Sequence, residues 1–248
     1  MTPLMMLLLC LLMVATSFLS GIFGMAGGMI LIGVLLVLLP VQTAMLLHAV
    51  TQIASNGWRG LLWRKYVRWG AVGGYVAGCL LALTAWSFFR YVPSTAVALI
   101  FLGVSPFLVK LFPSHWQPNP ESPVQGAICG TLCMTLMLLT GVSGPLIDSF
   151  FLSGKLDRRE IVATKAMCQI IGHGLKFTYF GGIIEQAGTL DPVLAVLAIV
   201  ASMVGTMAAK RFLEMMSDRQ YRVWAGRLIA SIAGYYVIHG VTLLVLRG

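Results

Sequence analysis

The chain has 248 residues, 58% of them hydrophobic and 10% charged, with a mean hydropathy of +0.90 and a formal net charge of +9. Soluble domains carry roughly 25% charged residues, and a chain with so few cannot coat its own core in polar side chains, so the composition excludes a soluble globular protein. The excess positive charge does not mark a nucleic-acid partner, because the cations sit in short gaps between apolar stretches, where they act as topology determinants.

The first predicted helix covers 4–22. No cationic leader precedes it, and it runs into the glycine-rich GIFGMAGG at 21–28, so it reads as a broken helix rather than a cleaved signal. The next helix, 28–39, rises only about 18 Å at 1.5 Å per residue, short of a hydrocarbon core of about 30 Å. Helix 42–62 places His48, Gln52, Asn56 and Arg59 at spacings of four, four and three, which share one face. Helices 69–89 and 93–111 follow, with Gly73, Gly74 and Gly78 as small packing residues.

The longest polar break, SHWQPNPESP at 114–123, divides the chain into halves at 1–118 and 119–248, within a single membrane domain. Helix 124–140 carries Gly126 and Gly130, again as packing residues. A second glycine break, GVSGP at 141–145, leads into a short helix over 145–153, about 13 Å long. Helix 160–181 then sets Lys165, Gln169, His173 and Lys176 on one face, with the same four-four-three spacing. Helices 192–210 and 222–246 complete the chain. Pro40, Pro93, Pro123, Pro145 and Pro192 fall at or beside helix starts, where a missing N–H is harmless. Cys10, Cys79, Cys129, Cys133 and Cys168 lie inside apolar stretches and read as packing residues rather than a disulfide framework; Cys129 and Cys133 share a helix face, without a His or acid beside them.

The same polar helix is thus written twice. QIASNGWR at 52–59 matches QIIGHGLK at 169–176, pairing Gln52 with Gln169, Asn56 with His173 and Arg59 with Lys176; Gly21 and Gly24 match Gly141 and Gly144 upstream. The cationic gaps at 59–68, 154–159 and 210–222, with Lys110, are expected on the cytoplasmic side and both termini outside. The cationic gap follows the polar helix in the first half and precedes it in the second, so the two copies cross the membrane in opposite senses. An all-α bundle of two inverted repeats, each with a broken or re-entrant hairpin, is the pattern of a secondary transporter.

At a broken helix, unpaired N–H groups and the positive dipole end suit an oxyanion. Gly24, Gly27, Gly28 and Gly144 are the candidate backbone sites, and Gln52, Asn56, Gln169, His173 and Lys176 the candidate side-chain ligands. The plainer role for the same polar residues is to bridge helices. Arg59 reads as a topology charge. Asp148 pairs with Lys165 or Lys176, or titrates to couple transport to protons; the sequence leaves these open. No catalytic motif, metal cluster or cofactor fingerprint is present.

FLSGIFGMAGG followed by AVTQIASNGWRG resembles the first half of the TauE/SafE family of membrane proteins, and GVSGPLIDSFF with IVATKAMCQIIGHGLKFTYFGG resembles the second half of one branch of it. The resemblance implies a multi-pass inner-membrane transporter for sulfite, sulfonates or related anions, commonly with seven or eight spans, fewer than the ten segments counted here. The second break departs from the first, since GVSGPLID lacks its extra glycines. The expected function is alternating-access transport of a small sulfur-containing anion, with a passive anion channel or a membrane-embedded enzyme as rivals. The expected partners are the lipid bilayer and the anion, with no cofactor and no nucleic acid, and a homo-oligomer left open.

Overall fold

The computed structural model describes residues 3–23, 25–108, 118–152, 156–184, 188–215 and 218–247. The described residues form helices α1 (Pro3–Phe23), α2 (Met25–Leu38), α3 (Val41–Leu62), α4 (Trp69–Phe89), α5 (Thr95–Leu108), α6 (Pro123–Thr140), α7 (Gly144–Leu152), α8 (Arg158–Thr178), α9 (Pro192–Met215) and α10 (Asp218–Arg247). A 3-10 turn at Arg64–Tyr66 follows α3, and a π-helical turn at Tyr179–Ile183 extends α8; there is no strand among the described residues.

Among the described residues five helices are long and apolar enough to cross a membrane: α1, α4, α6, Pro192–Ala209 of α9 and Arg227–Leu246 of α10. Their outward faces remain apolar, with Leu8, Phe88 and Val245 all more than half exposed. Lipid is the solvent for such a surface. Helices α3 and α8, with 22 and 21 residues, have the length of a span but not the hydropathy, because both carry the polar faces described above. They are buried at the centre, where other helices shield those faces.

The apolar helices pair closely around that centre. α4 lies against α6, α1 against α9, α5 against α10 and α3 against α8. Small residues set two of these approaches. A Cβ on Gly78 would sit 1.9 Å from the Ala127 carbonyl oxygen, and one on Gly130 would sit 2.0 Å from that of Tyr75, so α4 and α6 touch backbone to backbone. Gly205 of α9 does the same against the Val14 carbonyl of α1, at 2.3 Å. Lipid offers no hydrophobic drive for association, so this dispersion contact at short range is what holds such helices together.

The boundaries of α2, α8, α9 and α10 differ from the expected ones. α2 begins at Met25, so Ala26, Gly27 and Gly28 are its first turn rather than part of an open break. α9 runs on to Met215 and α10 starts at Asp218, so most of the cationic gap at 210–222 is helical. Lys, Arg, Glu and Met are good helix formers and lengthen a helix beyond its apolar core. α8 begins at Arg158, fixed by a capping box: the Asp157 carboxylate accepts from the backbone N–H groups of Arg159 and Glu160, and the Glu160 carboxylate accepts from that of Asp157.

Candidate functional site

α3 and α8 run antiparallel, and a cavity of about 40 Å³ lies between them. α3 contributes Gln52, Asn56 and Arg59, and α8 contributes Lys165, Gln169 and His173. The two glycine breaks close the ends of the lining. Gly28 comes from the first turn of α2; Val142, Ser143 and Gly144 lead into α7, which also supplies Asp148. Water needs roughly 10–15 Å³ on this measure, so the space admits about three waters or one small oxyanion.

The elements hold these side chains by local bonds. Ser55 and Thr206 share a hydrogen bond of 2.9 Å that pins α3 to α9. Asn56 Nδ2 donates to the Gln52 carbonyl at 2.9 Å. Arg68, in the loop before α4, pairs with Glu160, and its backbone N–H donates to Thr164 Oγ1 at 3.0 Å, tying that loop to the first turns of α8. Tyr236 of α10 donates to the carbonyls of Met29 and Ile30, satisfying α2 just after its glycines.

The chemistry of the lining favours an anion. Ser143 Oγ and His173 Nδ1 are buried beside the cavity without a partner among the described residues. Buried polar atoms of this kind are ordinarily paired. The amides of Gln52 and Gln169 add donors that orient by rotation. The N-terminal ends of α2 and α7 bring partial positive charge to the same point. The carboxylate of Asp148 is already taken by Lys165 Nζ at 2.5 Å, which settles its partner as Lys165 rather than Lys176.

Of the residues expected at the site, Gly28, Gln52, Asn56, Gly144, Gln169 and His173 line the cavity, as do Asp148 and Lys165. Gly24 lies outside the described residues. Two others are placed elsewhere. Gly27 faces away, with a Cβ position 1.9 Å from the Thr16 carbonyl oxygen, so its role is to let α2 fold back against α1. Lys176 is not in the lining. It is fully buried one turn beyond His173, where Nζ meets His48 Nδ1 at 2.8 Å and donates to the Gly141 carbonyl at 2.9 Å. His48 Nε2 in turn contacts the Gly28 carbonyl at 3.1 Å.

Arg59, read as a topology charge, lines the cavity, and Ser143 joins it. The spacing of Arg59 on the Gln52–Asn56 face was the signal for the first. Nothing in the sequence distinguished Ser143 from Ser20, the other serine beside a glycine break.

Exposure falls steadily along the α3–α8 pair. The side chains of Lys165 and Asp148 are 22% and 17% exposed, His173 is 2% exposed, and His48 and Lys176 are at 0%. The cavity therefore opens at the Arg59–Lys165 end and is sealed at the His48–Lys176 end. A second, wider space of about 650 Å³, a vestibule open to the surface, lies where α3 begins and α4 ends, lined by Gln42, Ser87, Phe88, Arg90 and Ile184 among others.

A helical protein with five candidate membrane spans among the described residues and a polar cavity lined from α2, α3, α7 and α8 is the architecture on view. The family model described as Sulfite exporter TauE/SafE matches residues 8–236, nearly the whole chain, and the protein belongs to that family. No curated protein and no solved structure gives a significant match.

Proposed function

We propose that the protein is a secondary transporter that carries a small sulfur oxyanion, of the size of sulfite, across the inner membrane by alternating access. The observation that carries the proposal is the cavity itself, in which neutral donors and two helix N-termini converge on a space of about 40 Å³ sealed at one end. The seal favours a carrier over a passive channel. The family's description as sulfite exporters supports both the anion and the direction. The small volume favours the inorganic anion over an organosulfonate with a carbon chain. Ser143, the lining hydroxyl, has no hydrogen-bonded base among the described residues, which favours transport over catalysis. Gly28, Gln52, Asn56, Gly144, Gln169 and His173 are the proposed anion-binding residues.

The reading includes two inverted repeats, α1–α5 and α6–α10. The packing supports it. Exchanging each helix for its counterpart turns the α1–α9 contact into α6–α4, and returns α3–α8 and α5–α10 to themselves. The Arg59–Lys165 mouth is the cytoplasmic one in this reading, as the cationic loops beside it indicate.

Thermal stability of the purified protein tests the binding step, since a ligand stabilises the folded state by mass action. Sulfite is expected to raise the unfolding temperature in a saturable way, with chloride and taurine giving less. An equal response to all three would contradict the assigned site.

A further inference from the structure

The two mouths of the cavity are built from equivalent positions. An offset of 117 residues carries His48 to Lys165 and Arg59 to Lys176, and the offset of 120 that relates the glycine breaks carries Gly28 to Asp148. The contact of His48 with the Gly28 carbonyl therefore has as its counterpart the contact of Lys165 with Asp148. The contact of Lys176 with His48, closed at 2.8 Å, has as its counterpart Arg59 with Lys165, and those two line the open mouth. The sealed end is the one that carries His48 and Lys176.

The shut end has a donor–acceptor count that constrains its protons. The Gly28 carbonyl only accepts, so His48 Nε2 carries a hydrogen; the Gly141 carbonyl only accepts, so Lys176 donates there. Between Nζ and Nδ1 one nitrogen must accept. An ammonium has no acceptor and a doubly protonated imidazole has none, so the contact exists only while the pair lacks at least one proton. Filling that vacancy leaves two adjacent cations. Among the described residues no carboxylate is placed to offset them. The titratable groups facing His48 are Lys176 and His173 of α8, the latter with its ring centroid 5.4 Å away. α2 carries no titratable side chain, and α9 carries none before Lys210. The hydroxyl of Tyr179, in the π-turn, is turned to the Tyr91 carbonyl, and Asp148 is held by Lys165.

His48 also lies on α3 between residues that line two separate spaces. Gln52, in the cavity lining, is four residues beyond His48, and Gln42, in the wide vestibule, is six residues before it. We infer that His48 and Lys176 form a proton-operated gate between the anion cavity and the vestibule, with Arg59, Lys165 and Asp148 as its counterpart at the other mouth. A proton taken up by the pair opens the vestibule side, so the proton is the co-substrate that drives the change of access. The inference rests on the transporter reading, and its test is independent of transport.

A cysteine-free chain with Gln52→Cys, reconstituted in vesicles, is exposed from each face in turn to an impermeant cationic methanethiosulfonate. The readout is the ratio of labelling from the Arg90 face to labelling from the Arg59 face, which cancels the reagent's own pH dependence. As the pH is lowered from about 8, the ratio is expected to rise at least about tenfold once the pair takes up its proton, since one proton equilibrium moves up to tenfold per pH unit. His48→Gln reproduces the neutral donor and acceptor but takes no proton, and is expected to hold the ratio low throughout. Lys176→Met removes the bond, and is expected to hold it high throughout.

A flat ratio in the parent, or the parent's rise persisting in His48→Gln, would overturn the gate. If His48→Gln does not fold, the parent and Lys176→Met still decide it. Exchange of radiolabelled sulfite is measured separately on vesicles of the unmodified chain: its absence beside a pH-dependent ratio would remove the transport reading and leave the gate, and its presence beside a flat ratio would do the reverse.

Discussion

The two ends of the α3–α8 pair use the same positions for different chemistry. At the open end an acid meets a base, Asp148 with Lys165, in reach of solvent. At the sealed end two bases meet, Lys176 with His48, without exposure, and the remaining bonds go to backbone carbonyls of Gly28 and Gly141. The difference traces to two exchanges between the halves, Asp148 for Gly28 and Lys165 for His48. Where the second break has Asp148, the first has Gly28, which offers only its carbonyl. An ion pair persists in its charged form over a wide pH range, whereas a base–base contact depends on a missing proton. The asymmetry gives one mouth a charge-held latch and the other a proton-sensitive one.

The largest expected effect comes from breaking the acid–base end. Asp148→Asn leaves Lys165 in a half-buried site without its carboxylate. Removing one partner of a fully buried pair costs about 3–5 kcal/mol, and partial solvation here reduces this to about 1–2 kcal/mol. The variant is expected to be less thermally stable and to lose sulfite exchange, because Lys165 is no longer held in place at the open mouth. Normal stability and normal exchange together would show that the pair is not a latch.

Next come the two amides between the ends. Gln52→Leu and Gln169→Leu each remove a neutral donor that faces the cavity, and each is expected to weaken sulfite binding by about 1 kcal/mol, the typical net value of a hydrogen bond. The repeat argument requires the two losses to be similar. A loss confined to one of them would show that a single half carries the site.

The smallest effect belongs outside the comparison. Arg159 donates to the Tyr66 hydroxyl at 3.0 Å at the surface, close to the open mouth but not in it. Arg159→Ala is expected to change stability by less than about 0.5 kcal/mol and to leave sulfite affinity unaltered. A tenfold change in affinity would extend the site to the loop that precedes α4.

The polar faces of α3 and α8 were legible because four polar residues at helical spacing stand out in an apolar chain. The same spacing could not say how deep each residue sits. Lys165 and Lys176 share a face, but eleven residues separate them by about 16 Å, and the partner helix decides which one borders the cavity. Lys176 was expected as a ligand and lies one turn too far. Gly27 and Gly28 show the same limit at shorter range. Adjacent residues in a helix point about 100° apart, so one meets α1 and the other meets Gln52, which only the packing of α2 determines. His48 was visible on the α3 face, yet its meaning needed Lys176 beside it, a contact spanning 128 residues of sequence.

Counterflow of radiolabelled sulfite in proteoliposomes tests the central claim most directly. Vesicles loaded with unlabelled sulfite and diluted into a trace of labelled sulfite are expected to accumulate label transiently above its equilibrium level, because a carrier with one alternately exposed site must exchange one anion for another. Label that rises only to equilibrium, with no overshoot at any loading, would contradict the account and indicate a channel; no uptake above protein-free vesicles would remove sulfite as the substrate.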